Sequence, residues 1–288
     1  MTAAAYAPFD AVLEQSLRDI GIPPRPVILD RIAAEMRKED PNLKYLGSAI
    51  GADVSLAASL IKTANSPFFG FHSRVRSSTE ALQMLGLDIS ARAIAGIVLR
   101  KVFPPPPQLE RFWDASAQIA ALSGWLGQTL HQARLRADDA YTYGLFRDCG
   151  IPVLLRRFPK YAASLAIANN DASRSFTSVE YESLPTDHTM VGCLLAQNWW
   201  LPEEICLSIR HHHDLEALES LQSGLPQSSR CLIAAGQVAE YIVQHLTGLS
   251  HTQEWPKLGA ACLRLLDLTE DELPALQEAA AVALRADA

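Results

Sequence analysis

The sequence has little of what a secreted or a nucleic-acid-binding protein is built from. Its five cysteines, Cys149, Cys193, Cys206, Cys231 and Cys262, form no CxxC pair and sit mostly among apolar residues. That excludes a disulfide framework and reads as reduced core thiols. Positive charge is short: 25 Lys plus Arg stand against 32 Asp plus Glu, a formal net of −7, which weakens contact with a phosphate backbone. Nucleic acid is therefore an unlikely partner, and the local cations Lys101, Arg156, Arg157 and Lys160 read as solvated helix faces. The first 17 residues show no basic region followed by an apolar stretch, and no window runs 18 uncharged apolar residues. Neither a leader nor a membrane partner is expected, and the expected compartment is the cytoplasm. Fixed-period repeats and sustained strand-like alternation are missing as well.

What is present is apolar helical periodicity. With 288 residues, 49% of them hydrophobic, burial can offset ordering entropy without staples. After the extended entry Ile22-Pro23-Pro24-Arg25-Pro26, Val27, Ile28, Ile32 and Met36 recur at helical spacing. Further helices are expected over Leu43 to Ile50 and Asp53 to Ala64, the latter stopped by Asn65-Ser66-Pro67. Ser77 and Glu80 form a reciprocal cap signal, Gly86 closes a short helix, and Asp88 or Ser90 begins the next. Pro104 to Pro107 mark the clearest internal boundary and read as a rigid connector. Downstream, helices are expected over Phe112 to Leu130, Asp139 to Phe146, a stretch after Pro152, one capped by Thr186 or Asp187, and one led by Pro202 with Glu203 and Glu204 in its first turn. The region from Cys231 to Leu246 and the tail from Leu258 to Leu284 complete about thirteen helices, and Asn169 to Ser178 is the expected loop. The fold class is all-α.

Two groups of residues carry a resemblance. The first is Ile22-Pro23-Pro24-Arg25-Pro26, the block Leu60 to Gly70 with Ala64-Asn65-Ser66-Pro67-Phe68-Phe69 inside it, and Ser78, Ala81, Leu82 and Leu85-Gly86. The second is Phe112-Trp113, Gly144-Leu145, Asp148, Gly150, Asp187-His188, Val191-Gly192, Trp199, Leu201-Pro202, Ile209 and His212-His213. Together they resemble the HDOD family, bacterial regulatory domains related to the metal-dependent HD phosphohydrolases. The resemblance implies an HDOD-type helical fold, with an N-terminal module over 12–103 and an HD-like helical core over 108–215; beyond it a C-terminal helical extension over 216–288 is expected.

It also implies a dismantled metal site. Where the related hydrolases place a ligand histidine after Phe-Trp-x, this sequence has Ala115, and their His-Asp pair reads Arg147-Asp148. Near a distal aspartate position, Ala235-Gly236-Gln237 aligns best, with Gly236 as the replacement. The remnant pocket candidates are Arg147, Asp148, His188, His212 and His213, with Ile205 and Ile209 placing the last two near the inward stripe and His211 further round. No catalytic or metal residue is assigned and no cofactor is expected, although the histidine run gives adventitious or low-affinity binding of a divalent metal. Arg147 is expected to be buried, to pair with Asp148 or equally with Asp114, Asp187 or another carboxylate across the core, and to fill the centre of the former site. Asn65 is read as a cap or a tie from the helix end to the following turn, the phenylalanines after it as packing, and Cys149 as a packed thiol. The reading that follows is non-catalytic signal transduction or scaffolding through a protein partner. The alternatives are a metal-dependent phosphohydrolase of nucleotides or cyclic dinucleotides, and a nucleotide sensor without turnover.

Overall fold

The computed structural model describes residues 19–71, 73–104, 111–130, 132–249 and 251–287, and among these every regular element is helical. The N-terminal half contains α1 (Val27–Met36), α2 (Leu43–Gly51), α3 (Val54–Ala64) and α4 (Ser78–Val102). Next come α5 (Phe112–Thr129), α6 (Ala137–Phe146), α7 (Gly150–Arg157), α8 (Tyr161–Asn170) and α9 (Phe176–Tyr181). The chain continues through α10 (His188–Asn198), α11 (Glu203–His211), α12 (Leu215–Glu219), α13 (Gln227–Thr247), α14 (Glu254–Leu265) and α15 (Leu273–Asp287). Fifteen α-helices are thus described where about thirteen are expected; the short α9 and α12 are too brief to leave a periodic signal.

Local chemistry sets most starts. Asn42, Asp53, Ser175, Asp187 and Asp214 each accept a backbone N–H from the first turn of the helix that follows. Ser77 Oγ does the same for Glu80, but the Glu80 carboxylate returns to the N–H of Arg76, one residue earlier than a capping box requires. Pro202 is the N-cap of α11 rather than its first residue, with Glu203 and Glu204 in the first turn. At Gly86, φ of 75° and ψ of 167° are non-helical, so the short first segment of α4 closes there as expected and a second segment begins beyond the kink. The expected loop shortens to 171–175, because Asp171 accepts from the N–H groups of Ser173 and Arg174 and closes a tight turn. The leader expectation and Pro105 to Pro107 lie outside the described residues; α4 and α5 end and begin on either side of that segment.

Packing joins the two halves. In the N-terminal half, α4 lies against α2 and α3 through Leu46, Ile50, Leu60, Leu82 and Ile94, all at most 1% exposed. Each contributes about 1.5–3 kcal/mol by burial. Among the described residues, α4 is the one helix long and apolar enough to cross a membrane by length and composition, and here its apolar face is used in the core. It meets α6 where Gly96 faces Leu145: a Cβ on Gly96 would lie 2.4 Å from Leu145 Cδ2. In the second half α5 and α6 pack together, and α13 is laid across α5, α6, α11 and α14. The proline-rich entry is tied to the corner between α10 and α11. The Arg25 guanidinium stacks 3.4 Å over the Trp200 ring and donates to Asn198 O, while Asn198 and Trp199 donate to Pro23 O.

Candidate functional site

The candidate site forms where the end of α6, the start of α10 and the end of α11 meet. Its assembly depends on an unusually close approach of backbones. A Cβ on Gly150 would lie 2.0 Å from His188 O and 2.8 Å from Gly192 N, so only glycine lets the first turn of α7 press against the first turn of α10. Buried Cys149 sits at the same contact, its thiol pointing at Gly192 O, and burial pushes that thiol well up. It is a packed thiol, as expected. This contact holds Asp148 beside His188, and Asp187 caps α10 so that His188 begins the helix.

Asp148, His188, His212 and His213 converge, with one donor atom from each within 4.8 Å of all the others. Asp148 Oδ1 lies 3.3 Å from His212 Nε2 and 3.7 Å from His188 Nε2, and the two Nε2 atoms are 3.3 Å apart. The opposite nitrogen of every ring is occupied. His188 Nδ1 contacts both Glu180 oxygens at 2.9 and 2.8 Å, His212 Nδ1 donates to Ile209 O at 2.8 Å, and His213 Nδ1 is 2.6 Å from Glu254 Oε2. Glu180, fully buried, also accepts from Tyr161 Oη, and Glu254 is paired with Lys257. With Nδ1 anchored, the Nε2 atoms of His188 and His212 are turned toward each other and Asp148; this is the outer support that fixes the orientation and basicity of ligating histidines. His211 is outside the cluster and interacts with Asp214 instead.

Arg147 is 3% exposed. Its Nη2 donates to Glu240 Oε2 at 3.1 Å, its Nη1 to Gly236 O at 3.3 Å, and its Nε lies 3.3 Å from Asp148 Oδ2 without hydrogen-bond alignment. The expected partners Asp114 and Asp187 are not used: Asp114 pairs with Arg100 on the surface, and Asp187 is spent on its cap. The carboxylate from across the core is Glu240, and the guanidinium engages the outer oxygen of Asp148 while the inner one faces the histidines.

Charge follows from these contacts. Burial opposes ionisation of Asp148, but Arg147, with His212 and His188, outweighs it and holds the carboxyl far below the usual range. Burial likewise opposes protonation of His188, and Glu180 and Asp148 reverse the balance, raising it. His212 is lowered by burial against the pull of Asp148, and His213 is driven well down by burial and by the neighbouring imidazoles. Burial raises Glu240 despite Arg147.

Glu180, Glu240, Glu254 and Tyr161 were not among the residues expected at the site. Glu240 had a signal, since it stands four residues after Gly236 and so shares its helix face. The others are legible only as acids or a phenol within apolar stretches, which does not say what they face.

The donor chemistry fits one divalent ion. Tetrahedral coordination at zinc–nitrogen distances of about 2.0–2.1 Å places neighbouring ligand atoms roughly 3.3 Å apart, close to the separations within Asp148, His188 and His212. The positions of Ala115 and Gly236 offer no side-chain donor, and the Arg147 charge stands on the other side of Asp148. Among the described residues a second ion finds no ligands of the kind the resemblance would require.

An all-helical fold with an inward histidine and aspartate cluster defines the HD-like class. Within it the chain belongs to the HDOD domain family, whose model matches residues 22–215. The fold is shared with a crystal structure from Shewanella amazonensis SB2B whose name carries a provisional phosphohydrolase assignment: 20% identity, TM-score 0.66, covering 95% of this chain and 94% of that one. It is shared also with a Marinobacter aquaeolei VT8 protein named provisionally for signal transduction, at 24% identity and TM-score 0.62, covering 95% of this chain and 58% of that one. An uncharacterized protein of Treponema pallidum (strain Nichols) is 26% identical over 242 residues, 82% of this chain. The chain spans 45% of that curated relative's length.

Proposed function

We propose that this protein is a bacterial signal-transduction or scaffold component that acts through protein contacts and does not turn over a phosphate ester. The observation carrying this reading is Arg147. A permanently charged, buried guanidinium sits against the aspartate of the former His-Asp pair, and it is neutralised by Glu240 rather than offered to substrate. Ala115 removes a ligand as well. Reconstituted with manganese, iron or magnesium, the full chain should hydrolyse nucleotides and cyclic dinucleotides no faster than a metal-only control. Turnover that vanishes in Asp148→Ala at unchanged thermal stability would overturn the reading.

The nucleotide-sensor alternative draws less support, since the Arg147 donors that a phosphate would need point at Glu240 and Gly236 O. A second reading has a specific observation behind it: Asp148 and three histidines with anchored Nδ1 atoms can hold one divalent ion. When bound, such an ion would cross-link α10, α11 and the end of α6, and as a Lewis acid it would polarise a bound oxygen. Calorimetric titration of chelator-stripped protein with zinc should show at most one equivalent, abolished in His212→Ala. Two equivalents, or binding unaffected by that substitution, would remove this reading.

A further inference from the structure

A large cavity lies away from the histidine cluster, at the junction of the N-terminal half with α5 and α6. It has a volume of about 1030 Å³ and is bounded by α1, α3, α4, α5 and α6. Its walls are set apart by small residues at helical spacing: Ala93 and Gly96 on α4, Ala117 and Ala121 on α5. Apolar side chains line it at partial exposure, among them Ile28, Ile97, Val98 and Leu145, and Val27 at its edge is 65% exposed. Ser55, Ser59, Lys62 and Ser66 run along its α3 side, again at helical spacing.

The rim is cationic on a chain whose net charge is −7. Arg31, Lys62, Arg100 and Lys101 are exposed around it, and the one acid lining it is Asp53. Arg31 and Lys62 have no acidic partner among the described residues. Lys101 pairs with Asp53 and Arg100 with Asp114, but both pairs are exposed, and such pairs exchange readily for an incoming carboxylate because each is worth only about 0–1 kcal/mol. Arg100 and Lys101 mark one end of the trough, beside Asp53. Lys62 is nine residues further along α3, about 13 Å away at helical rise, or between two and three turns.

We infer that this trough receives an amphipathic helix of a partner protein, apolar on the face that enters and acidic along its flanks. This rests on the protein-contact reading above and names its surface. Cations at both ends suit carboxylates spread over two or three turns of a helix. An amphiphile with a single anionic head would match cations gathered at one end. Helix-in-groove recognition uses apolar anchors at i, i+3, i+4 and i+7, a length the α3 side of the trough accommodates.

The test is photo-crosslinking in the native host with the full chain, carrying benzoylphenylalanine in place of Ala117, and separately in place of Ile167, which is 54% exposed on α8. The Ala117 probe should attach to a protein segment with an apolar stripe flanked by Asp or Glu. A synthetic peptide of that segment should bind purified protein at least tenfold more weakly after Arg31→Glu with Lys62→Glu, and after Ala121→Trp, which fills the trough, while the variants keep the parent's melting temperature. A lipid, a small molecule or a second copy of this chain at Ala117 would overturn the proposal, as would absence of any adduct there. If protein adducts form at Ile167 only, the protein-contact function stands and the trough is wrong. If neither probe captures protein, both fall.

Discussion

Arg147 is held by two carboxylates, and each of the three has a reason to need the others. Removing the guanidinium leaves Glu240 buried without its cation and Asp148 without the charge that keeps it ionised. Breaking a buried pair from one side costs about 3–5 kcal/mol. Arg147→Met, which keeps volume and removes charge, should therefore destabilise the chain by about that much in urea unfolding, and Glu240→Gln added to it should recover part of the loss. A variant as stable as the parent would show that the pair is energetically idle. The histidines give a pH signature in chelator-treated protein. His212 and His213 have folded values below the unfolded value of about 6.5. Their contribution is complete above that pH and is lost as pH falls, at up to about 1.4 kcal/mol per pH unit for each. His188 is raised, so its contribution is complete below about 6.5 and is lost as pH rises through its folded value. Stability should decline on both sides of a maximum near pH 6.5, and His213→Gln should flatten the acid arm. An acid arm of unchanged slope in that variant would contradict the assignment.

The site exists because two helix starts touch. Gly150 at α7 and His188 at α10 are so close that a methyl group would strike His188 O at 2.0 Å, and a backbone atom cannot rotate away as a side-chain tip can. Gly150→Ala should cost at least about 1–3 kcal/mol as overpacking and, by displacing His188 from Asp148, weaken zinc binding in the same protein. Retained stability with unchanged metal affinity would mean the two starts can separate freely. Much of this was legible before the fold was known. Asp187-His188 and His212-His213 carried both a helix cap and a helix end, and the apolar spacing of Ile205 and Ile209 turned His212 and His213 inward. The block around Asn65 read as a tie, and its side chain does hold the following turn, exchanging hydrogen bonds with the N–H and C=O of Val75 at 2.8 Å each. What could not be read was which long-range acid meets which base. Glu240 and Glu254 lie 93 and 41 residues from Arg147 and His213, and no local period links residues across such distances. The helix start at Pro202 moved for a simpler reason: a proline serves as either cap or first residue.

At the scale of the whole molecule, the family match ends at residue 215, while the packing does not. α13 is buried along most of its length, and a Cβ on Gly236 would lie 2.5 Å from the Tyr143 ring, so α13 is seated directly on α6. It supplies Glu240 to Arg147, and α14 supplies Glu254 to His213. A chain ending at Ser220 would expose the α5 and α6 surfaces that α13 covers, including Tyr143 and the guanidinium of Arg147. Ile233, Val238 and Ile242 are each at most 1% exposed, and losing burial of even these three removes roughly 5–9 kcal/mol, comparable with the whole stability of a typical domain. We therefore expect that a chain ending at Ser220 keeps helical circular dichroism but loses cooperative thermal unfolding and binds a hydrophobic dye, the pattern of a collapsed state without fixed packing. A chain ending at Glu272, which removes only α15, should still unfold cooperatively, because α13 and α14 remain. If instead the shorter chain melts in a single transition near the parent's temperature, residues 221–288 are an appendage to a self-sufficient domain. The histidine site would then have to be supported without Glu240 or Glu254.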